Sequence, residues 1–125
     1  MKNFIQLITV AFSLLITTNA FAQGYTANKA TPAQEKKADD IVLKFDDVLS
    51  LTEKQELLFK NKQAEFVYAN EAVLNSERSK KEINGILLAL YQEQANEMKE
   101  ILTPPQFDLY VQYRSKYDPL FVILK

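Results

Sequence analysis

From residue 32 onward, apolar residues recur at steps of three and four, with Lys, Glu, Gln and Asp between them. Ala38, Ile41, Val42, Phe45, Val48 and Leu49 form one narrow stripe, which predicts an amphipathic helix over about 32–49. A second helix, over about 53–74, turns Phe59, Phe66, Val67, Val73 and Leu74 inward. Leu57, Leu58, Tyr68 and Ala69 widen that face enough to meet two neighbours or a partner chain. The pattern breaks at Asn75–Ser79, and Ser79-Lys80-Lys81-Glu82 has the S-x-x-E form that opens a helix. The third helix then uses Ile83, Ile86, Leu87, Leu90, Tyr91, Met98 and Ile101, with Gln94 as a polar interruption. A fourth runs over about 104–117 with Phe107, Tyr110, Val111 and Tyr117. Asp118-Pro119 ends it, because the residue before a proline avoids helical angles. Glycine occurs only at Gly24 and Gly85 and proline at four positions, so few breakers interrupt an all-α chain of about four helices. Beyond Pro119 the tail "LFVILK" has no periodicity. A tucked-in extended segment, a strand added to another molecule and a sticky end all fit it.

The N-terminus has a different pattern. Met1-Lys2 precedes a mostly apolar run from Phe4 to Ile16, and Ala20-Phe21-Ala22 offers the small-x-small site of signal peptidase. Residues 1–22 therefore read as a cleaved signal peptide, which implies export to the periplasm. The run is shorter than the roughly 20 residues a membrane span needs. Residues 23–31 read as a flexible leader, 32–118 as the helical domain and 119–125 as an apolar tail. Without Lys2 the chain carries 14 basic and 16 acidic residues, too even a balance for a nucleic-acid footprint. It has no cysteine, so disulfides cannot reinforce a thin core. A partner subunit would help so small a domain.

Two short stretches nearly repeat each other: "LTEKQ" at Leu51–Gln55 and "LTPPQ" at Leu102–Gln106. Thr52-x-x-Gln55 and Thr103-x-x-Gln106 both match the capping box, and Thr31-Pro32-Ala33-Gln34 is a third version lacking the leucine. Pro104 falls at the first helical position, where its missing N–H costs nothing. Leu102 can staple onto Phe107, whereas the first copy has Glu56 at the equivalent place unless Leu57 substitutes. Two helical stretches of about 22 residues, roughly 33 Å each, separate the copies. A reversal near Asn75–Ser79 brings both motifs to one end of an antiparallel helical hairpin, with Leu51 and Leu102 close together.

Paired L-T-x-x-Q motifs in an exported helical chain resemble the Spy/CpxP family of small periplasmic proteins. The resemblance covers about 49–117 and includes Leu51, Thr52, Gln55, Leu102, Thr103 and Gln106, with "QEQANEMKEILTPPQFDLY" leading through the second copy. It implies a helical cradle that dimerises antiparallel, making a homodimer an expectation here. It also implies ATP-independent binding of partly folded polypeptides in the cell envelope. This chain departs from the cradle chaperones in a shorter segment between motifs and a slightly acidic balance. The second implied role is a regulatory or structural envelope stress protein that docks one dedicated protein partner.

Other chemistries find little material. The chain has no His and no Cys, so it lacks the donors that transition metals prefer and the usual nucleophiles and bases. No glycine-rich phosphate loop is present. Asp39, Asp40, Asp46 and Asp47 lack the glycine and closing glutamate of an EF-hand, and Lys36, Asp40 and Lys44 suit i,i+4 pairing on a solvated face. No enzyme activity, cofactor or metal is expected. For contact with a client or partner, Tyr68, Tyr113 and Tyr117 are the candidates, because tyrosine offers an apolar ring and a polar tip. Leu120 and Phe121 in the tail are the others, since an exposed apolar run is either covered or used. A third use of the tail would be membrane association, though that is the least favoured.

Overall fold

The computed structural model describes residues 29–125, so the expected signal peptide and most of the expected leader lie outside the described residues. Four helices follow in order: α1 (Pro32–Leu49), α2 (Glu53–Leu74), α3 (Lys80–Ile101) and α4 (Pro104–Tyr117). No strand occurs among the described residues, and none of their helices is long and apolar enough to cross a membrane. The fold is all-α.

Each helix begins where its cap chemistry dictates. Thr31, Thr52 and Thr103 accept from the N–H three residues on, and each following Gln reaches back to the threonine N–H. Ser79 caps α3 through the N–H of Glu82. The joint between α1 and α2 is tight. Ser50 takes the left-handed conformation, with φ 52°, and its N–H closes onto the Asp46 carbonyl at 3.0 Å. The Asp46 carboxylate then accepts from the Leu51 N–H at 2.9 Å.

Ion pairs and hydrogen bonds set the helix directions. Lys37 meets Glu71 at 2.8 Å and Asp39 meets Lys60 at 3.0 Å, so α1 and α2 run in opposite senses. Between α2 and α3 the sense reverses again: Gln55 reaches Ile101, Lys62 reaches Glu97 and Asn70 reaches Gln94. α4 packs mainly on α1 and more lightly on α3.

The main core gathers the stripe of α1 against α2 and α4. Phe45, fully buried, lies with its ring centroid 5.4 Å from Phe59, 5.2 Å from Tyr110 and 5.3 Å from Tyr117. Leu49, Met98 and Leu102 are buried in the same cluster, and Leu51 packs against it. A second, smaller cluster consists of Ile83, Leu87 and Tyr91 on α3. Val73, Leu74, Phe121 and Leu124 close over it, so the tail forms part of its cover.

The inward face of α2 differs from its apolar pattern. Leu57 is 61% and Leu58 41% exposed, so neither joins the core and Leu57 makes no staple. The polar residues Gln63 and Asn70 take inward places instead. Val111 of α4 also points outward.

Two expectations follow. Phe45→Ala should cost about 3–5 kcal/mol in urea unfolding, because the three rings around it cannot close the void; a loss under 1 kcal/mol would mean that the aromatic cluster is not the core. Burial lifts the Tyr110 phenol from 10.0 to about 12, while the Arg114 charge pulls the other way. The unfolded chain ionises this group near 10, the folded chain only near 12. Stability is therefore full below pH 10 and falls as pH rises to 12, by about 2–3 kcal/mol. Tyr110→Phe should lose correspondingly less over that interval in alkaline thermal melts.

Candidate polypeptide-binding surface

The two L-T-x-x-Q copies meet. Gln55 Nε2 donates to Gln106 Oε1 at 2.8 Å, and Gln106 Nε2 donates back to Gln55 Oε1 at 3.1 Å. The second proton of each amide goes to the carbonyl that ends a neighbouring helix: Gln55 to Ile101 at 3.2 Å, Gln106 to Leu49 at 3.1 Å. Each Oε1 also accepts from its own threonine N–H, at 3.1 Å for Thr52 and 2.9 Å for Thr103. Both amides thus use both donors and both acceptor positions, and Gln106 Oε1 also lies 3.1 Å from the Thr103 hydroxyl. Glutamate would serve the cap equally well but has no N–H to give. Leu51 and Leu102 sit beneath this joint in the main core, while Thr52 and Thr103 stay exposed. At this end the motifs act as scaffold, and the surface open to another molecule lies further along α2 and α3.

There, a groove of about 230 Å³ runs over the seam between the two helices. Phe66, Tyr68, Ala69 and Leu90 supply its apolar part; Glu65, Glu93 and Glu97 supply its acids. Lys62 spans the seam, 3.3 Å from Glu65 and 3.5 Å from Glu97. Burial opposes the Lys62 charge, yet the two carboxylates hold its pKa above the ordinary lysine value. Burial raises the Glu97 pKa, helped by Glu65 and Glu93 and resisted by Lys62. Lys29 lies over the Tyr68 ring at 5.7 Å, which shows a cation accommodated at the groove. An acid-rimmed apolar groove suits a polypeptide segment carrying apolar and basic side chains together.

Under the groove lies a buried polar strip that sequence reading reduced to one interrupting glutamine. Asn70 and Gln94 exchange hydrogen bonds at 3.5 and 2.9 Å. Gln94 also accepts from Arg114 at 2.9 Å, and Arg114 donates to the Tyr91 carbonyl at 2.8 Å. The Arg114 guanidinium sits 4.6–5.5 Å from the rings of Phe121, Tyr91 and Tyr110. Its Nε alone is buried without a partner. Asp118, 4% exposed, accepts from Gln63 at 3.4 Å and from the Leu120 N–H at 2.9 Å. Burial raises its pKa, against that backbone bond and the Arg114 charge. Gln63, Asn70 and Gln94 fall on inward positions of their helices, and that register was the available signal.

The remaining candidates separate. Tyr68 lines the groove. Tyr113 and Tyr117 stack on each other at 5.1 Å, half-buried, and Tyr117 also meets Phe45 edge-on. Leu120 packs against the main core, and Phe121 lies 4.6 Å from Tyr91.

Because the two glutamines share their bonds, Gln55→Ala and Gln106→Ala should be non-additive in unfolding free energy, with a coupling of about 0.5–3 kcal/mol. Gln55→Glu, which preserves the cap, should still cost about 1–3 kcal/mol through the carbonyl and amide it leaves unpaired. Additive alanine variants together with a neutral glutamate variant would reduce the motif to a pair of independent caps. No family model, curated protein or solved structure matches the chain.

Proposed function

We propose that this chain is an exported, Spy/CpxP-like protein of the cell envelope that binds partly folded polypeptides reversibly and without nucleotide. The observation that carries this reading is the acid-rimmed apolar groove, open along the α2–α3 seam that Lys62–Glu97 and Asn70–Gln94 hold together. A client segment places its apolar side chains against Phe66, Tyr68 and Leu90 while its basic groups face Glu65, Glu93 and Glu97. The charged rim keeps the complex soluble. The reading takes residues 1–22 as the export signal and the periplasm as the place of work. A second reading, one dedicated protein partner, draws on the same acidic rim, because a defined charge pattern favours one basic surface over many.

Purified residues 23–125 should suppress light scattering from several unrelated unfolding clients at near-stoichiometric amounts without ATP. Leu90→Lys should weaken that suppression several-fold while the circular dichroism stays helical. Undiminished aggregation of every client, with one recurring protein recovered in pull-downs, would overturn the chaperone reading in favour of the dedicated partner.

A further inference from the structure

The C-terminal tail is held on α3 by side chains that bond its main chain, in addition to the packing of Phe121 and Leu124. The Asn84 carboxamide donates to the Leu124 carbonyl and accepts from the Leu124 N–H, both at 2.8 Å. This is the pair of bonds that a neighbouring β-strand would make. Two turns further along α3, the Tyr91 hydroxyl lies 2.6 Å from the Leu120 carbonyl and 2.8 Å from that of Val122, and accepts from the Val122 N–H at 3.0 Å. Asn84 and Tyr91 stand about 10.5 Å apart along the helix axis. Val122 and Leu124, two residues apart, span about 6.6 Å if extended, and the Tyr91 and Asn84 side chains reach both. Leu87, fully buried, lies between them in sequence and belongs to the cluster beneath.

Only part of the tail's apolar character is used. Phe121 and Leu124 pack into the second cluster, but Val122 is 37% and Ile123 48% exposed. The segment is tethered at Asp118-Pro119, where the backbone leaves the helix in an extended conformation. The tail's side chains are held at three places: Leu120 against the main core, Leu124 in the second cluster, and Phe121 where it meets Tyr91 and Arg114, each at 4.6 Å.

We propose that this face of α3 is a binding track for an extended apolar segment of another polypeptide, and that residues 119–125 occupy it as an internal stand-in. Asn84 and Tyr91 read the main chain of the segment, and the Tyr91–Arg114 corner takes one aromatic or large aliphatic side chain. The occupant follows from what already sits there: a short stretch beyond the Asp118–Phe121 turn, held through its backbone at Val122 and Leu124, with one anchoring ring. Tolerance of sequence comes from backbone reading, as in strand addition to a sheet edge. The tail competes at the high local concentration set by its short tether, so release is needed before capture. This inference rests on the polypeptide-binding reading above and places a second contact surface beside the groove.

The test uses a fluorescein-labelled peptide of the tail sequence, DPLFVILK, and the same peptide N-methylated at the amides matching Val122 and Leu124. The protein is the exported chain carrying Lys80→Cys and Lys125→Cys, whose native residues meet through a 3.0 Å hydrogen bond. Its two thiols are the only ones in the chain, so a short bismaleimide can lock the tail in place while leaving Asn84 and Tyr91 intact. Before locking, fluorescence anisotropy should show the plain peptide binding roughly tenfold more tightly than after it. The methylated peptide should bind roughly tenfold more weakly than the plain one. Equal binding before and after locking, equal binding of both peptides, or a dimer with exchanged tails that leaves no track to fill would each overturn the proposal. Client aggregation, followed on the same preparations, separates the two readings. Peptide capture without aggregation suppression upholds the track and sinks the chaperone function. Suppression by open and locked protein alike, with no peptide capture, does the reverse.

Discussion

Two side-chain amides hold one end of this molecule together. Gln55 and Gln106 each complete a helix start, each bind the carbonyl closing a different helix, and each satisfy the other. One interaction therefore links four chain ends: the starts of α2 and α4 and the finishes of α1 and α3. Helix termini leave backbone groups unpaired, and burying them without partners is expensive. Collecting four termini around one amide pair solves that problem at the place where the core is closed by Leu51 and Leu102. It also fixes which ends lie together, something apolar stripes on separate rods leave undetermined.

Further along, polar contacts take over from apolar ones in setting the register between α2 and α3. The main cluster and the small cluster on α3 are separated by Asn70, Gln94 and Arg114, all nearly or wholly buried. A sliding helix would leave these groups without partners, which costs far more than displacing one leucine by another. The Arg114 charge is tolerated because three rings surround it and two good acceptors receive it. The strip thus gives a thin, two-cluster protein a single register, and it supports the floor of the open groove.

Much of the architecture is written in local signals. The T-x-x-Q boxes, Ser79 and Asp118-Pro119 mark the helix limits because capping chemistry involves only three or four neighbouring residues. The stripe of α1 is equally plain, and every buried residue of that helix belongs to it. Legibility ends where a residue's role depends on distant partners. Gln63 and Asn70 look solvent-facing, and Gln94 a lone polar interruption, until Asp118, Gln94 and Arg114 arrive from 20 to 55 residues away. Leu57 and Leu58 look like core and are not, since α2 turns that side outward. The groove was only half visible: Tyr68 is a recognisable candidate, but its juxtaposition with Leu90 and Glu93 is a property of the seam. The glutamines of the motif were legible as caps, and their second use required the two copies to be seen face to face.

The small cluster on α3 has an implication for the history of each molecule. Its lid, residues 120–124, lies about 30 positions beyond Tyr91 in the chain, and a polypeptide emerges from its amino end. Ile83, Leu87 and Tyr91 therefore wait for part of their cover until about 30 further residues have followed. The first two helices and the start of the third can assemble within that delay, while α4 and the tail are still to come. A newly made copy therefore passes through an interval in which Val73 and Leu74 alone cover this apolar face. The interval closes when residues 120–124 settle onto the cluster.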